Sequence, residues 1–355
     1  MNARKAKQLG ALTGLVAASA LAAGMSAGAA SASTPDSAAA HSYRHGLVPT
    51  VQAAQAQRAA AKTATSSNTL YYGGGIDGIG VTSGKEKVYV IFYGTQWGTS
   101  STDSNGNLKF TNDTLGAAGR VQQMFKGLGT GGEQWSGVMT QYCDGSLVSA
   151  GASSCSSSAA HVAYPTGGGT LAGVWYDNSA AAPSAASAAQ LGSEAVKAAG
   201  HFGNTSASSN RYAQYVVFSA KGGNPDHYKT GGFCAWHDYN KDVGVSSSYG
   251  DIAFTNLPYL SDVGASCGAG FVNSGNNLDG YTIVEGHEYA ETITDQNPAG
   301  GWTASSGYEN ADECAWISSG QGKSANVSMG NGTYPMQSTW SNDTNRCDIS
   351  HVTVT

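Results

Sequence analysis

Charge is scarce in this chain, and basic charge scarcest. Asp, Glu, Lys and Arg make up 12% of 355 residues, with 18 basic side chains against 24 acidic ones. Beyond position 69 the basic residues stand singly apart from Lys85 and Lys87. No basic stripe is available for a polyanion to follow, so DNA and RNA are excluded as main partners. After the N-terminal region there is no uninterrupted apolar span, which excludes stable membrane insertion. None of the cysteines forms a C-x-x-C pair, so thiolate zinc ligation is the lesser reading. No internal repeat points to a solenoid.

The N-terminus does carry a pattern. Arg4, Lys5 and Lys7 precede an apolar run from about Leu9 to Ala23, and small residues follow in AGAASASTPD. This is the layout of a secretory signal over residues 1–32, cleaved after Ala29 or Ala32. Its removal takes away three basic and no acidic residues, moving the formal charge from −6 to −9. An extracellular, secreted protein is therefore expected. The six cysteines, Cys143, Cys155, Cys234, Cys267, Cys314 and Cys347, form an even set. In an oxidising compartment this implies three disulfides, and pairing of sequential neighbours is preferred: 143–155, 234–267 and 314–347.

Residues 33–69 are rich in Ala, Ser, Thr and Gln and poor in large apolar side chains. Such a segment cannot build a core alone, which predicts a disordered stalk or a propeptide removed on activation. From Leu70 the composition shifts, and a single globular domain is expected over 70–355. Strands are predicted at Lys87–Tyr93, Ser136–Cys143, Thr170–Tyr176, Arg211–Gly223, Gly250–Leu260 and Ser350–Thr355, and helices at Thr114–Gly127, Ala185–Ala199 and Tyr281–Thr294. The fold class is α/β (α+β): a mixed sheet flanked by helices, with a zincin-like site helix and disulfide-stapled loops. GGFCAWHDYN, around His237, reads as a disulfide-tethered turn. Tyr71, Tyr72, Trp97 and Trp175 are read as core residues before a sugar-binding platform.

The last of those helices contains VEGHEYAETITD. Only eight histidines and eight glutamates occur in the chain, so a chance His-Glu-x-x-Glu has a frequency of roughly 0.4%. His287 and Glu291 are one helical turn apart and share a face, while Glu288 lies adjacent to it. Asp279 is a candidate N-cap. A catalytic zinc needs three protein ligands and an open position, and a helix offering ligands at i and i+4 supplies two. The third is expected from GYENADECAW, where Glu309 lies eighteen residues past Glu291. Asp312 is the alternative ligand, or a hydrogen-bond partner that orients His287. Glu288 is the expected general base, and His237 and Tyr308 are candidates for substrate or oxyanion contacts. Calcium is the other metal weighed, and an exposed acidic helix the reading without metal. Gly264-Ala265-Ser266-Cys267-Gly268 matches a G-x-S-x-G nucleophile elbow, but a chain this rich in Gly and Ser yields about one such match by chance.

The spacing from the helix to Glu309 resembles that of gluzincin-type metallopeptidases. The order YYGGG, VYVIFYGTQWG, FCAWH, DGYTIVEGHEYAETITDQNP and ENADEC, covering about Leu70 to Cys314, resembles the phosphate-induced/EXORDIUM-like family of secreted proteins, and more closely its exported actinobacterial members. His287, Glu288, Ala290, Glu291, Trp302, Glu309, Asp312 and Cys314 match that family's pattern, whereas Gln296 and Asn297 depart from it before Pro298. The resemblance implies the site and a link to the cell wall, and it implies no particular reaction. The expectation is a secreted zinc endopeptidase acting on a peptide or protein substrate. The alternative is a non-catalytic protein binding cell wall or glycan.

Overall fold

The structure is a computed structural model describing residues 43–61 and 68–354. The expected signal, residues 1–32, lies outside the described residues. All of those described belong to one compact unit, Ala40–Thr355.

The run KVYVIFY is β-branched and aromatic throughout, the composition of a strand buried on both faces. It forms β2 (Lys87–Tyr93) of a six-stranded sheet that also contains β1 (His45–Pro49), β3 (Leu171–Asp177), β4 (Ala213–Ser219), β5 (Phe233–Tyr239) and β6 (Ala253–Leu257), in the spatial order β1-β5-β6-β4-β2-β3. From β6 through β4 and β2 to β3 the strands are parallel, β5 is antiparallel to β6, and β1 is antiparallel to β5. Side-chain alternation splits the interior in two. Val88, Val90 and Phe92 enter one core, and Tyr89 and Ile91 the other. Helix α3 (Ala188–His201) covers the second core with Leu191, Ala195, Ala198 and Ala199, and begins at a Ser187–Gln190 capping box. Helices α2 (Ala117–Gly127) and α4 (Asp279–Thr294) pack on the first. The expected mixed sheet flanked by helices is what forms.

Several local expectations differ. Ser136–Gln141, expected as strand, is a 3-10 helix closed by short backbone bonds such as Val138 N to Trp135 O. Its apolar content serves core packing and no sheet pairing, so tertiary context overrides propensity. No strand forms over residues 350–354. FCAWHDY is no turn but strand β5, second from the sheet edge and held by β1 on one side and β6 on the other. Tyr72 and Trp97 are buried and Trp175 stacks on His201, whereas Tyr71, expected in the core, is exposed because it points away from the core face of its short strand.

The largest difference lies before Leu70. Within the stretch expected to be stalk or propeptide, His45–Pro49 is β1 and Val51–Ala61 is helix α1. Val48 and Ala54 are buried in the main core. A segment too poor in apolar residues to fold alone can order on a surface that supplies them.

The disulfides are Cys143–Cys155, Cys234–Cys267 and Cys314–Cys347, as sequential pairing predicts. The second joins β5 to a 3-10 turn across a sequence separation of 33. The paired substitution Cys234→Ser/Cys267→Ser is expected to cost about 3–4 kcal/mol through the freed unfolded chain. Thermal melts would show it as a lower midpoint, and an unchanged midpoint would count against that role. No helix among the described residues is long and apolar enough to cross a membrane.

Candidate metal centre

Helix α4 is buried on every side: all of its residues, including Glu285, His287, Glu288 and Glu291, are inaccessible or nearly so. One side faces the sheet, where Gln214 donates to Thr255 Oγ1 and Thr292 Oγ1. The other is covered by the hairpin Ala325–Met329/Gly332–Met336. Thr282 donates to Pro335 O at 2.6 Å, and Gly286 admits Met336 so closely that a Cβ there would stand 2.6 Å from its methyl. The exposed acidic helix is thereby excluded. Asp279 does not cap the helix; it starts it, and its carboxylate accepts from the Val272 and Asn273 amides.

His287 and Glu291 meet as their spacing requires, with Nε2 and Oε2 3.0 Å apart. Asp312 completes the group: its Oδ1 lies 3.6 Å from His287 Nε2, and its amide donates to Glu291 Oε1 at 2.8 Å. Glu309 goes elsewhere. It sits on an irregular segment before the 3-10 turn Asp312–Cys314, not on a second helix, and its Oε2 is 3.2 Å from His237 Nε2. His237, projecting from β5, also lies 3.9 Å from Glu291 Oε2. Donor atoms of His237, Glu288 and Glu291 fall within 4.8 Å of one another, as do those of His287, Glu291 and Asp312, so Glu291 belongs to both groups. Tyr308 is 43% exposed, on the wall of a cleft of about 550 Å³ that Asp312 also lines. It does not join the buried cluster.

Sequence reasoning gave no hint of Gln337, which settles the His287 tautomer. Gln337 Nε2 donates to Ala311 O and Ser338 O, leaving Oε1 to accept from His287 Nδ1 at 3.2 Å. Nε2 then faces the carboxylates, and a cation displacing its proton would meet an imidazole fixed by an outer partner.

Among the described residues, His287 Nε2, Glu291 Oε2, Glu309 Oε2 and both oxygens of Glu288 are buried without a hydrogen-bond partner. Of these, His287 Nε2 and Glu291 Oε2 stand 3.0 Å apart and form an ion pair only while the ring is protonated. Such groups are costly in a dry interior unless a cation joins them. Zinc with bonds of about 2.0–2.1 Å holds tetrahedral ligands about 3.3 Å apart, which the 3.0 and 3.6 Å separations around His287 Nε2 bracket. The donor set fits a metal.

The electrostatics agree in sign. Burial alone would pull the His287 imidazole down, but Glu291 and Asp312 raise it to about 10. Burial, then Asp312, lift Glu291 to about 7 against the pull of His287. Burial, together with neighbouring carboxylates, puts Glu288 and Glu309 well above the usual range, while burial and the charges of His45 and His287 hold His237 well below its own. Without a cation, the protonated His287 ring is what offsets the carboxylates of Glu291 and Asp312.

Beneath the helix, Glu86 accepts from Tyr289 Oη, and burial raises its carboxyl from 4.5 to about 8 against that bond. The folded chain keeps this proton while the unfolded chain loses it near the ordinary value. The associated stability is complete below pH 4.5 and drains away as pH rises toward 8. Glu86→Gln is expected to flatten that decline in melts at pH 5 and pH 8; an unaltered slope would refute the assignment.

Ser266 lies in the 3-10 turn Gly264–Cys267, beside a disulfide-bonded cysteine and not on a strand-to-helix elbow. A serine nucleophile has no support there. Comparison with family models, with curated proteins and with solved structures finds no match to the chain.

Proposed function

We propose that this chain is a secreted zinc-dependent hydrolase of peptide bonds, with His287, Glu291 and Asp312 holding the metal and Glu288 as general base. One observation carries the proposal: His287 Nε2 and Glu291 Oε2 face each other at 3.0 Å, buried, with Asp312 Oδ1 3.6 Å from the same nitrogen. Imidazole favours zinc over calcium. Bound zinc supplies Lewis-acid polarisation of a carbonyl and lowers the pKa of a bound water.

The protein's own groups divide the remaining work. Glu288 has two free oxygens and, in a dry site, a high proton affinity. It takes a proton from the attacking water and returns it to the departing amine. Gln337 fixes the His287 ring, and the Asp312 amide orients Glu291. His237, paired with Glu309, stands beside Glu288 and Glu291, where a ring N–H can steady developing negative charge. The signal-like N-terminus and three disulfides support export. The EXORDIUM-like pattern supports the site residues and names no reaction.

A non-catalytic wall- or glycan-binding protein is the second reading. The complete burial of the cluster favours it. Elemental analysis separates the two. About one zinc per chain is expected, lost in Glu291→Ala and Asp312→Ala and kept in Glu309→Ala. Zinc kept in Asp312→Ala but lost in Glu309→Ala would move the third ligand. A metal-free wild type, indifferent to chelator, would leave only the binding protein.

A further inference from the structure

His237, His287, Glu288 and Glu291 are each 0% exposed. Part of their cover is β1, which lies at the sheet edge and pairs with the very strand that carries His237, His45 opposite His237. Gly46 makes the closest approach. Its φ is +52°, and a Cβ built there would stand 2.1 Å from Glu291 Oε2 and 2.4 Å from His237 Nε2. Only a residue without a side chain fits, so backbone lies directly against the candidate centre.

The hold on this segment is non-covalent. Arg44 pairs with Asp226, Arg58 donates to Ala315 O and Trp316 O, and Trp316 Nε1 donates to Pro49 O at 2.7 Å. No disulfide reaches it, since the first cysteine is Cys143. The pairing is also irregular, with register shifts on both sides of Val48. The other five strands pair among themselves without β1.

We infer that residues 43–61 are an inhibitory strap, occupying along β5 the trough that an extended polypeptide substrate enters, with Gly46 over the His237–Glu291 pair. Resting on the hydrolase proposed above, this assigns the substrate class: an extended chain that adds antiparallel to β5 through main-chain bonds, presenting a small residue at the Gly46 position. Substrate and strap compete for one edge, so activity requires the strap to leave.

The test replaces residues 62–67 of the full chain with the recognition sequence of a specific endoprotease. Labelling of His237 and His287 by diethyl pyrocarbonate, read by mass spectrometry, reports access without needing metal or activity; hydrolysis of unfolded casein is followed in parallel. After cutting, labelling is expected to rise on the order of tenfold or more and hydrolysis to appear, with a synthetic 43–61 peptide reversing both. Faster, peptide-reversible labelling without hydrolysis would keep the strap and refute the peptidase. Equal hydrolysis before and after cutting would overturn the strap and keep the peptidase.

Gly46→Val in the uncut chain covers the case in which the cut segment stays docked. The strap requires faster labelling with a nearly unchanged melting midpoint. A lowered midpoint with unchanged labelling makes β1 an ordinary structural strand and overturns the inference.

Discussion

Glu288→Gln should bind zinc like the wild type, melt within a few degrees of it, and hydrolyse peptides about 10²–10⁴-fold more slowly. The substitution is nearly isosteric and removes only the capacity to accept a proton. Glu288 is outside the proposed ligand set, so metal content should not change. Its oxygens make no hydrogen bond that the amide would break. Burial and the neighbouring Glu291 favour its neutral form, which the amide matches in shape and charge, so little change in stability is expected. The informative measurement is kcat/KM beside zinc content on one preparation. Unchanged hydrolysis with zinc in place would remove Glu288 from the reaction; loss of zinc would turn it into a ligand.

Glu291→Ala should have the larger effect on the metal itself, abolishing zinc binding and with it all activity. Glu291 is the residue common to both donor groups, 3.0 Å from His287 Nε2 and 3.9 Å from His237 Nε2. Its other oxygen accepts the Asp312 amide, so truncation also frees the loop that carries the third donor. A metal present at about a thousand times its Kd adds about 4 kcal/mol of stability, or a midpoint shift of about 6 °C in a chain of this size. Excess zinc should therefore raise the melting midpoint of wild type and leave that of Glu291→Ala unmoved. Equal shifts in both would place the zinc somewhere else.

The site helix was legible because its letters are rare: His287, Glu288 and Glu291 stand out in a chain with eight of each type. Strands β2 and β4 were legible because of their β-branched and aromatic stretches VYVIFY and YVVF, and disulfide pairing followed sequence order. What stayed hidden is set by contacts between distant residues. Asp312, not Glu309, meets His287 because the Glu309 amide donates to Asp312 Oδ2 and the adjoining turn is pinned at Cys314; no local spacing encodes that. Strand β5 was masked by Gly231, Gly232 and Cys234, which resemble turn punctuation. The burial of the helix's far side, at Thr282 and Gly286, depends on a hairpin that begins at Ala325, and that of Glu291 on Gly46 and the Asp312 turn. Strand β1 has too little apolar content to announce itself, and it exists because β5 offers an edge.

The Cys314–Cys347 bond has a consequence for timing. It ties the turn bearing Asp312 to the strand Arg346–Asp348, and Gln337, which sets the His287 tautomer, lies on the intervening stretch. During synthesis the helix with His287 emerges well before Cys347, and inside a reducing cytoplasm the two cysteines stay apart. The nascent chain therefore carries two of the proposed ligands without the third in place. On the proposed reading of an exported metal-dependent hydrolase, competence to hold metal would then arrive with oxidation of this pair, and a chain still reduced would be inactive.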